Sequence, residues 1–230
     1  MAEGGKVKNT GNKVSAQQKT RQAYESPRVR VRENKHATDA GLTEEQRKAV
    51  NATESKIRNR KTEIAYAVDD NGQVIKISVS GSRNRTRINP GLVPRNAVLT
   101  HNHPSAEDKP IMYNGRKVGV SGGGSGMAAK IVAPHSGADL RAAILLNAKE
   151  TRAVSPTYTF SVRRPEGGWN VSADEVEREW NKVYDSFKKE YESYRKSGRE
   201  QFGRFNLMAS HQATRAVAKK YGFTYTRRKA

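Results

Sequence analysis

The chain contains no cysteine, and few of its residues are apolar. Without cysteine it can form neither disulfides nor thiolate metal ligands, which excludes a zinc site of the cysteine-paired deaminase type. Hydrophobic residues make up 34% of the 230 residues and the mean hydropathy is −0.88, which is low for one compact core. We therefore expect that parts of the chain are flexible or depend on a partner.

Long apolar segments are also missing. No run approaches the roughly 20 apolar residues that are needed to span a bilayer. The N-terminal sequence, MAEGGKVKNTGNK, lacks the apolar centre of a signal peptide. The sequence therefore predicts a soluble, cytoplasmic protein that has no membrane partner.

Basic residues are abundant, since the formal net charge is +20 at pH 7. Such a charge favours nucleic acid or an acidic partner, because each phosphate contact releases counterions. A solvated basic surface without a specific ligand is the alternative. The candidate anion-binding residues lie in one internal basic segment and at the C-terminus: Arg83, Arg85, Arg87, Arg227, Arg228 and Lys229.

The apolar pattern predicts an α+β fold with a central mixed sheet flanked by helices. Residues 1–40 are rich in Gly, Asn, Gln, Lys and Arg, which is typical of a basic, disordered arm. Residues 41–171 carry the alternating helix and strand patterns of the main domain. A polar, Gly-rich insertion at about 105–127 interrupts it, and 172–230 is expected to be a helical extension.

The elements within these regions follow from capping and turn signals. Thr43 and Gln46 have capping-box spacing, and Asp69-Asp70-Asn71-Gly72 is a hairpin signal. The predicted helices cover about 43–59, 136–146, 172–197 and 204–220, and the predicted strands cover 62–68, 73–80, the residues before His101, 128–133 and 151–163. The segment 81–87 between strands is expected to be a basic loop.

Two histidines one residue apart, His101 and His103, follow an apolar run and precede a proline. Side chains at i and i+2 of a strand lie on the same face, so both imidazoles are expected to project together. Such a pair is half of a zinc or transition-metal site, and catalytic zinc sites add a third protein ligand. Asp139, in the first turn of a predicted helix, is the best candidate for that ligand.

Two further residues would supply catalysis at such a site. Glu63 lies in an otherwise apolar strand, where a carboxylate is costly without a polar or cationic partner. Beside a metal-activated water it could shuttle protons. Ser136 could donate a hydrogen bond to the developing oxyanion.

Each of these residues also has an ordinary explanation. The two histidines could form hydrogen bonds within a turn. A Ser136-x-x-Asp139 pair is a common helix N-terminus, with a capping serine and an acid in the first turn. Glu63 could be a surface residue of an edge strand, and His135 could be either an extra ligand or a loop residue.

In chain order, Glu63, His101-x-His103 and Ser136-x-x-Asp139 resemble the JAMM motif of JAB/MPN-type metalloproteases. The local string HNHPS is similar to the RadC-like branch of that superfamily. The resemblance implies a JAB/MPN-like fold with cytidine-deaminase-like layering. It also implies that the glutamate is the general acid/base, that the two histidines and the aspartate hold Zn²⁺, and that the serine stabilises the tetrahedral intermediate.

The resemblance covers roughly residues 60–165, and it departs from the family pattern in one place. Residues 104–135 separate the second histidine from the serine, which is longer than the family spacing. A looped-out insertion explains the excess, because closing a longer loop costs little extra free energy. Ser105 and Asp108 form an alternative Ser-x-x-Asp pair, but they leave little chain for a connection into a helix.

The predicted function is zinc-dependent hydrolysis of a peptide or isopeptide bond in a polypeptide substrate. Two other classes stay open. One is a catalytically silent binding module that docks nucleic acid or a large assembly through its basic surface, and the other is a metal-dependent nuclease. Domains of this kind also occur in phage and mobile-element proteins, a setting that a short basic chain fits.

Overall fold

The computed structural model describes residues 39, 41–82, 85–104, 109–113, 116–121, 134–195 and 202–230. Its helices are α1 (Glu44–Ile57), α2 (Gly137–Leu145), α3 (Ala173–Arg195), α4 (Phe202–Tyr221) and a 3-10 turn (Pro90–Leu92). Its strands are β1 (Ala65–Val68), β2 (Val74–Lys76), β3 (Ser78–Ser82), β4 (Arg85–Ile88), β5 (Val98–Asn102), β6 (Lys109–Tyr113), β7 (Arg116–Ser121), β8 (Glu150–Val154), β9 (Tyr158–Arg163) and β10 (Thr224–Lys229).

A six-stranded sheet forms the centre of the fold, in the order β10-β9-β8-β5-β1-β2. The β5–β8 pair is parallel and the other pairs are antiparallel. The parallel pair requires a crossover, and α2 lies in the connection between those two strands. The predicted α+β class with a mixed sheet flanked by helices is thereby confirmed.

The two faces of the sheet bury different side chains, because neighbouring strand residues point to opposite sides. Val98 packs with Val50 of α1 on one face. Its neighbour Leu99 belongs to the larger core on the other face, together with Trp180 of α3 and Val217 of α4. The sheet is therefore enclosed by α1 on one side and by the later helices on the other.

Helix α1 begins as predicted, although its capping box is only half formed. The Thr43 side chain accepts a hydrogen bond from the Gln46 amide. The Gln46 side chain, which is fully buried, donates instead to the Val68 carbonyl and accepts from Lys149. The glutamine thus ties the helix to the sheet, because a buried amide needs partners for both its donor and its acceptor.

Several elements differ from the prediction in the region between β1 and α2. The predicted strand 73–80 is divided at Ile77 into β2 and β3. The segment 81–87, predicted to be a loop, contributes to the β3–β4 hairpin. The insertion at 105–127 also contains a hairpin, formed by β6 and β7. Local β pairing can form in such polar segments because each backbone group finds a partner across the turn.

Other predictions fall on residues that the structure does not describe. These are the arm up to residue 38 and the strand at 128–133. No helix in the described ranges is both long enough and apolar enough to cross a membrane.

The C-terminal region joins the central sheet. Both predicted helices are present, and α4 ends before Gly222, whose φ of +74° suits glycine at a helix C-terminus. The residues predicted to be a helical extension with a basic tail instead finish as β10, which pairs with β9 along six residues. The first half of TYTRRK consists of Thr and Tyr, which are enriched in strands.

A buried ion cluster lies between α1 and the sheet. The guanidinium of Arg152 is fully buried and is 2.6 Å from Glu150, 3.2 Å from Glu54 and 3.3 Å from Asp39. Arg228 of β10 adds contacts to Asp39 at 3.5 Å and to Glu54 at 3.1 Å. Asp39, assigned by sequence to the arm, therefore bonds with the sheet.

We expect Arg152→Ala to lower the free energy of unfolding by about 3–5 kcal/mol, because it leaves buried carboxylates without a cation. The matched control is Arg141→Ala, which removes a half-exposed arginine from an ion pair with Asp174 and should change stability much less. Urea unfolding followed by circular dichroism measures both. Equal losses for the two variants would contradict the role given to the cluster.

Candidate metal centre

His101 and His103 come together at the end of β5. His101 is the fourth residue of the strand, and His103 follows its last residue. Their Nε2 atoms are 2.9 Å apart, and their side chains are 9% and 16% exposed. The i, i+2 spacing thus places both imidazoles on one face, as predicted.

Asp139 reaches the imidazoles from the N-terminus of α2. Ser136 caps the helix, and the Asp139 Oδ2 atom accepts hydrogen bonds from the Ser136 amide at 2.6 Å and hydroxyl at 2.8 Å. The Oδ1 atom lies 3.5 Å from the His101 Nε2, and Oδ2 lies 3.8 Å from the His103 Nε2. The cap therefore orients the carboxylate toward both histidines.

These separations fit a divalent ion. Zinc bonds of about 2.0–2.1 Å in a tetrahedron place neighbouring ligand atoms about 3.3 Å apart. The distances are 2.9 Å between the two histidine Nε2 atoms and 3.5 and 3.8 Å from these atoms to the Asp139 oxygens, so they lie on both sides of that value. One ligand atom from each residue lies within 4.8 Å of the others. Two imidazoles and a carboxylate form a donor set that suits Zn²⁺ and other transition metals. His101, His103 and Asp139 are called the metal group below.

The charges in the metal group favour a bound cation. Burial alone would raise the pKa of Asp139, but His101 and His103 hold it well below its usual range. Burial alone would lower the pKa of His101, yet Asp139 and Glu63 leave it raised. The ionised Asp139 carboxylate thus attracts positive charge, which a bound metal ion would also supply.

Glu63 lies on the same cavity as the metal group. It precedes β1, which begins at Ala65, so the prediction that it sits within a strand is wrong. Its half-buried carboxylate accepts a hydrogen bond from the Thr86 backbone. Burial raises the pKa of Glu63, His101 opposes the shift and Asp139 adds to it. An acid with a raised pKa is suited to receive and release a proton near neutral pH.

Asn102, the residue between the two histidines, positions the segment that carries Glu63. Its side chain is fully buried and accepts from the Ile64 amide at 2.9 Å. It also donates to the carbonyls of Arg60 at 3.2 Å and Thr62 at 3.1 Å. These three partners of the Asn102 side chain all lie in residues 60–64, and the sequence analysis did not predict this role.

The loop before Ser136 is anchored by the C-terminal helices. His135 is fully buried, and its Nε2 donates to the Thr151 carbonyl at 3.1 Å. Burial lowers the pKa of His135 to about 3. The Thr214 hydroxyl of α4 donates to the His135 carbonyl at 3.3 Å and accepts from the Trp180 indole of α3 at 3.0 Å. His135 therefore acts as an anchor of the loop, outside the metal group.

All five predicted site residues line one cavity of about 530 Å³: Glu63, His101, His103, Ser136 and Asp139. Ser136 has a second role as the cap of α2, and its hydroxyl donates to Asp139. The Ser136 hydroxyl would have to break this hydrogen bond to Asp139 before it could donate one to an oxyanion. The alternative pair Ser105 and Asp108 lies outside the described residues.

Among the predicted anion-binding arginines near β4, only Arg87 has a described side chain. Arg83 lies outside the described residues, and only the backbone of Arg85 is described. Arg87 is exposed, whereas its neighbours Thr86 and Ile88 line the cavity. Strand alternation therefore turns Arg87 away from the site.

The C-terminal candidates lie at the other edge of the sheet, on β10. The Arg227 guanidinium lies 4.7 Å from the centre of the Tyr158 ring, and Arg228 belongs to the buried ion cluster. Lys229 is exposed. Of the described candidates, Arg87 faces away from the cavity and Arg228 is held in the ion cluster, so neither lines the cavity.

Comparison of the chain with protein-family models, with curated proteins and with solved structures found no match.

We expect Asn102→Ala to loosen the segment 60–64. It removes the hydrogen bonds to the half-buried Ile64 amide and to the Arg60 and Thr62 carbonyls, at a cost of about 0.5–1.5 kcal/mol of unfolding free energy for each bond. Hydrogen exchange at the Ile64 amide should accelerate by more than the global loss of stability explains. The control Asn71→Ala, in an exposed turn, should leave exchange at Ile64 unchanged. Unaltered exchange in Asn102→Ala would refute the positioning role.

Zinc affinity should fall as the pH decreases through the raised pKa of His101, because the protonated imidazole cannot bind a metal. The decrease should begin at a higher pH than for an ordinary imidazole, whose pKa is about 6.5. Glu63→Gln removes one of the charges that raise this pKa, so its decrease should begin at lower pH. Competition with a chromophoric chelator between about pH 5 and 8 measures both curves, and superimposable curves would contradict the coupling.

Proposed function

We propose that the chain is a zinc-dependent hydrolase of a peptide or isopeptide bond, with a JAB/MPN-like site. One observation carries the proposal: an acid with a raised pKa, Glu63, lines the same cavity as the metal group. The sequence order of these residues, which resembles the JAMM motif, supports the same assignment.

Each residue has a role in the proposed reaction. A divalent ion held by the metal group supplies Lewis acidity to a substrate carbonyl and to a water molecule. Glu63 would accept the proton of the attacking water as the C–O bond forms, and would then pass that proton to the leaving nitrogen as the C–N bond breaks. Ser136 donates a hydrogen bond to the oxyanion once its hydroxyl turns from Asp139.

A polypeptide fits this cavity better than a nucleic acid. Its charged lining residues are Glu63, His101, His103 and Asp139, and no lysine or arginine lines it among the described residues. A phosphodiester substrate would bring negative charge next to two carboxylates, with no lysine or arginine among the described lining residues to balance it. An amide bond is neutral and carries no such cost.

Binding of nucleic acid away from the cavity is a second candidate function, favoured by the net charge of +20. In this case the fold is a scaffold and the exposed basic residues make phosphate contacts. The affinity for nucleic acid would then fall steeply as the salt concentration rises, and Glu63→Gln would not change it.

We expect about one zinc per chain in the wild type and none in the His101→Ala/His103→Ala double variant, measured by metal analysis of the purified proteins. Glu63→Gln should retain zinc but lose at least about 100-fold in the cleavage of a peptide library followed by mass spectrometry, because the proton acceptor is missing. Glu45→Gln, at an exposed position of α1, is the matched control and should behave as wild type.

Three results would each redirect the proposal. Zinc-dependent cleavage that persists in Glu63→Gln would remove Glu63 from the reaction. Zinc-dependent cleavage of a labelled oligonucleotide would replace the peptidase with a nuclease. Salt-sensitive binding of that oligonucleotide, with no cleavage of any substrate, would favour the scaffold function.

A further inference from the structure

An apolar row leads away from the metal group across the floor of the cavity. Leu99 lies on β5, two residues before His101, and Ala65 of β1 pairs with His101. Ile77 donates its amide hydrogen to the Ala65 carbonyl at 3.1 Å, and Asn89 in turn donates to the Ile77 carbonyl at 2.9 Å. The floor thus continues beyond β1, through Ile77, to Ile88 beside Asn89.

The wall opposite the floor is formed by the first turns of α2. Ala138 and Ala142 line the cavity beside Asp139, and their i, i+4 spacing places them above one another on the helix. Because both side chains are single methyl groups, they leave space between helix and sheet. Larger residues at these positions would fill that space.

The lining of the cavity therefore has two chemically distinct parts. Glu63 and the metal group supply its charged residues, and neutral polar residues also line it, namely Thr86, Thr100, Thr151 and Ser210. The apolar part, called the apolar end below, consists of Ala65, Ile77, Ile88, Leu99, Ala138 and Ala142. No lysine or arginine among the described residues contributes to either part. A charged substrate group placed at the apolar end would lose its hydration without gaining a partner.

We propose that the apolar end is a side-chain subsite that selects an aliphatic residue of the substrate polypeptide next to the scissile bond. This assignment rests on the proposed function, because the metal group fixes the position of the reacting carbonyl. The cavity of about 530 Å³ lies within the range of sites that enclose small ligands. It has room for an amide group beside the metal group together with one aliphatic side chain.

Alanine at position 65 sets the form of the subsite. It lies directly beside His101 in the sheet, and its side chain is a single methyl group. The larger side chains of Leu99, Ile77 and Ile88 line the same cavity. An aliphatic group that enters it exchanges water for apolar contacts on several sides.

Three hydroxamates test the subsite without requiring catalysis, because a hydroxamate binds zinc directly. The probes are the hydroxamates of N-acetyl-leucine, N-acetyl-glycine and N-acetyl-aspartate, titrated calorimetrically into the zinc-loaded full chain. The leucine probe should bind at least about tenfold more tightly than the glycine probe, as expected for burial of an aliphatic side chain. The aspartate probe should bind no more tightly than the glycine probe.

Two variants change the subsite and one serves as a control. Ala142→Leu fills the cavity from a half-buried helix position and should abolish the advantage of the leucine probe while the glycine probe still binds. Ile88→Ala removes part of the floor and should reduce the same advantage severalfold. Ala52→Leu makes the same exchange as the first variant at an exposed position of α1, on the other face of the sheet, and should change neither affinity.

The outcomes separate the subsite from the catalytic proposal. If the wild type binds zinc but binds the three probes with equal affinity, or prefers the aspartate probe, the subsite is overturned. Either result leaves the hydrolase proposal standing. A leucine preference that Ala142→Leu removes, in a protein that cleaves no peptide, would support the subsite and refute the hydrolase. Failure of the wild type to bind zinc would overturn both.

Discussion

The Asp139 carboxylate joins the two halves of the candidate site. Its Oδ2 atom is bonded to Ser136 at the start of α2, while Oδ1 faces His101 at the end of β5. A helix N-terminus favours negative charge, and the imidazoles favour it as well, so one ionised group satisfies both elements. The position of α2 over the strand end, the opening of the cavity and the low pKa of the carboxylate all depend on this contact.

The rest of the fold restricts movement around that contact. Asn102 holds the segment with Glu63 on one side, and the Trp180–Thr214–His135 hydrogen bonds hold the loop before Ser136 on the other. Side chains that would act on a substrate must keep their relative positions to be effective. The C-terminal helices therefore contribute to the order of the site, as well as enclosing one face of the sheet.

Sequence reasoning identified residues well where a local rule governs them. The His-x-His pair follows from strand alternation, and the Ser136–Asp139 cap follows from helix N-terminal preferences. Sequence reasoning was less successful where a side chain bonds with a partner that is distant in the chain. Gln46 has capping-box spacing but bonds with Val68 instead. The sequence predicts Arg228 to be an anion-binding residue at the basic C-terminus. In the structure it pairs with Asp39 and Glu54, more than 170 positions earlier in the chain.

By itself, the sequence determined the α+β class, the main helices and the pair of imidazoles on one strand, because these depend on the periodicity of neighbouring residues. Only the tertiary structure decided that Asp139 lies beside those imidazoles across 36 positions of chain, that Arg87 faces away from the cavity, and that TYTRRK closes the sheet as β10. Those outcomes depend on which surfaces pack against each other, and packing energy is shared among residues that no local pattern connects.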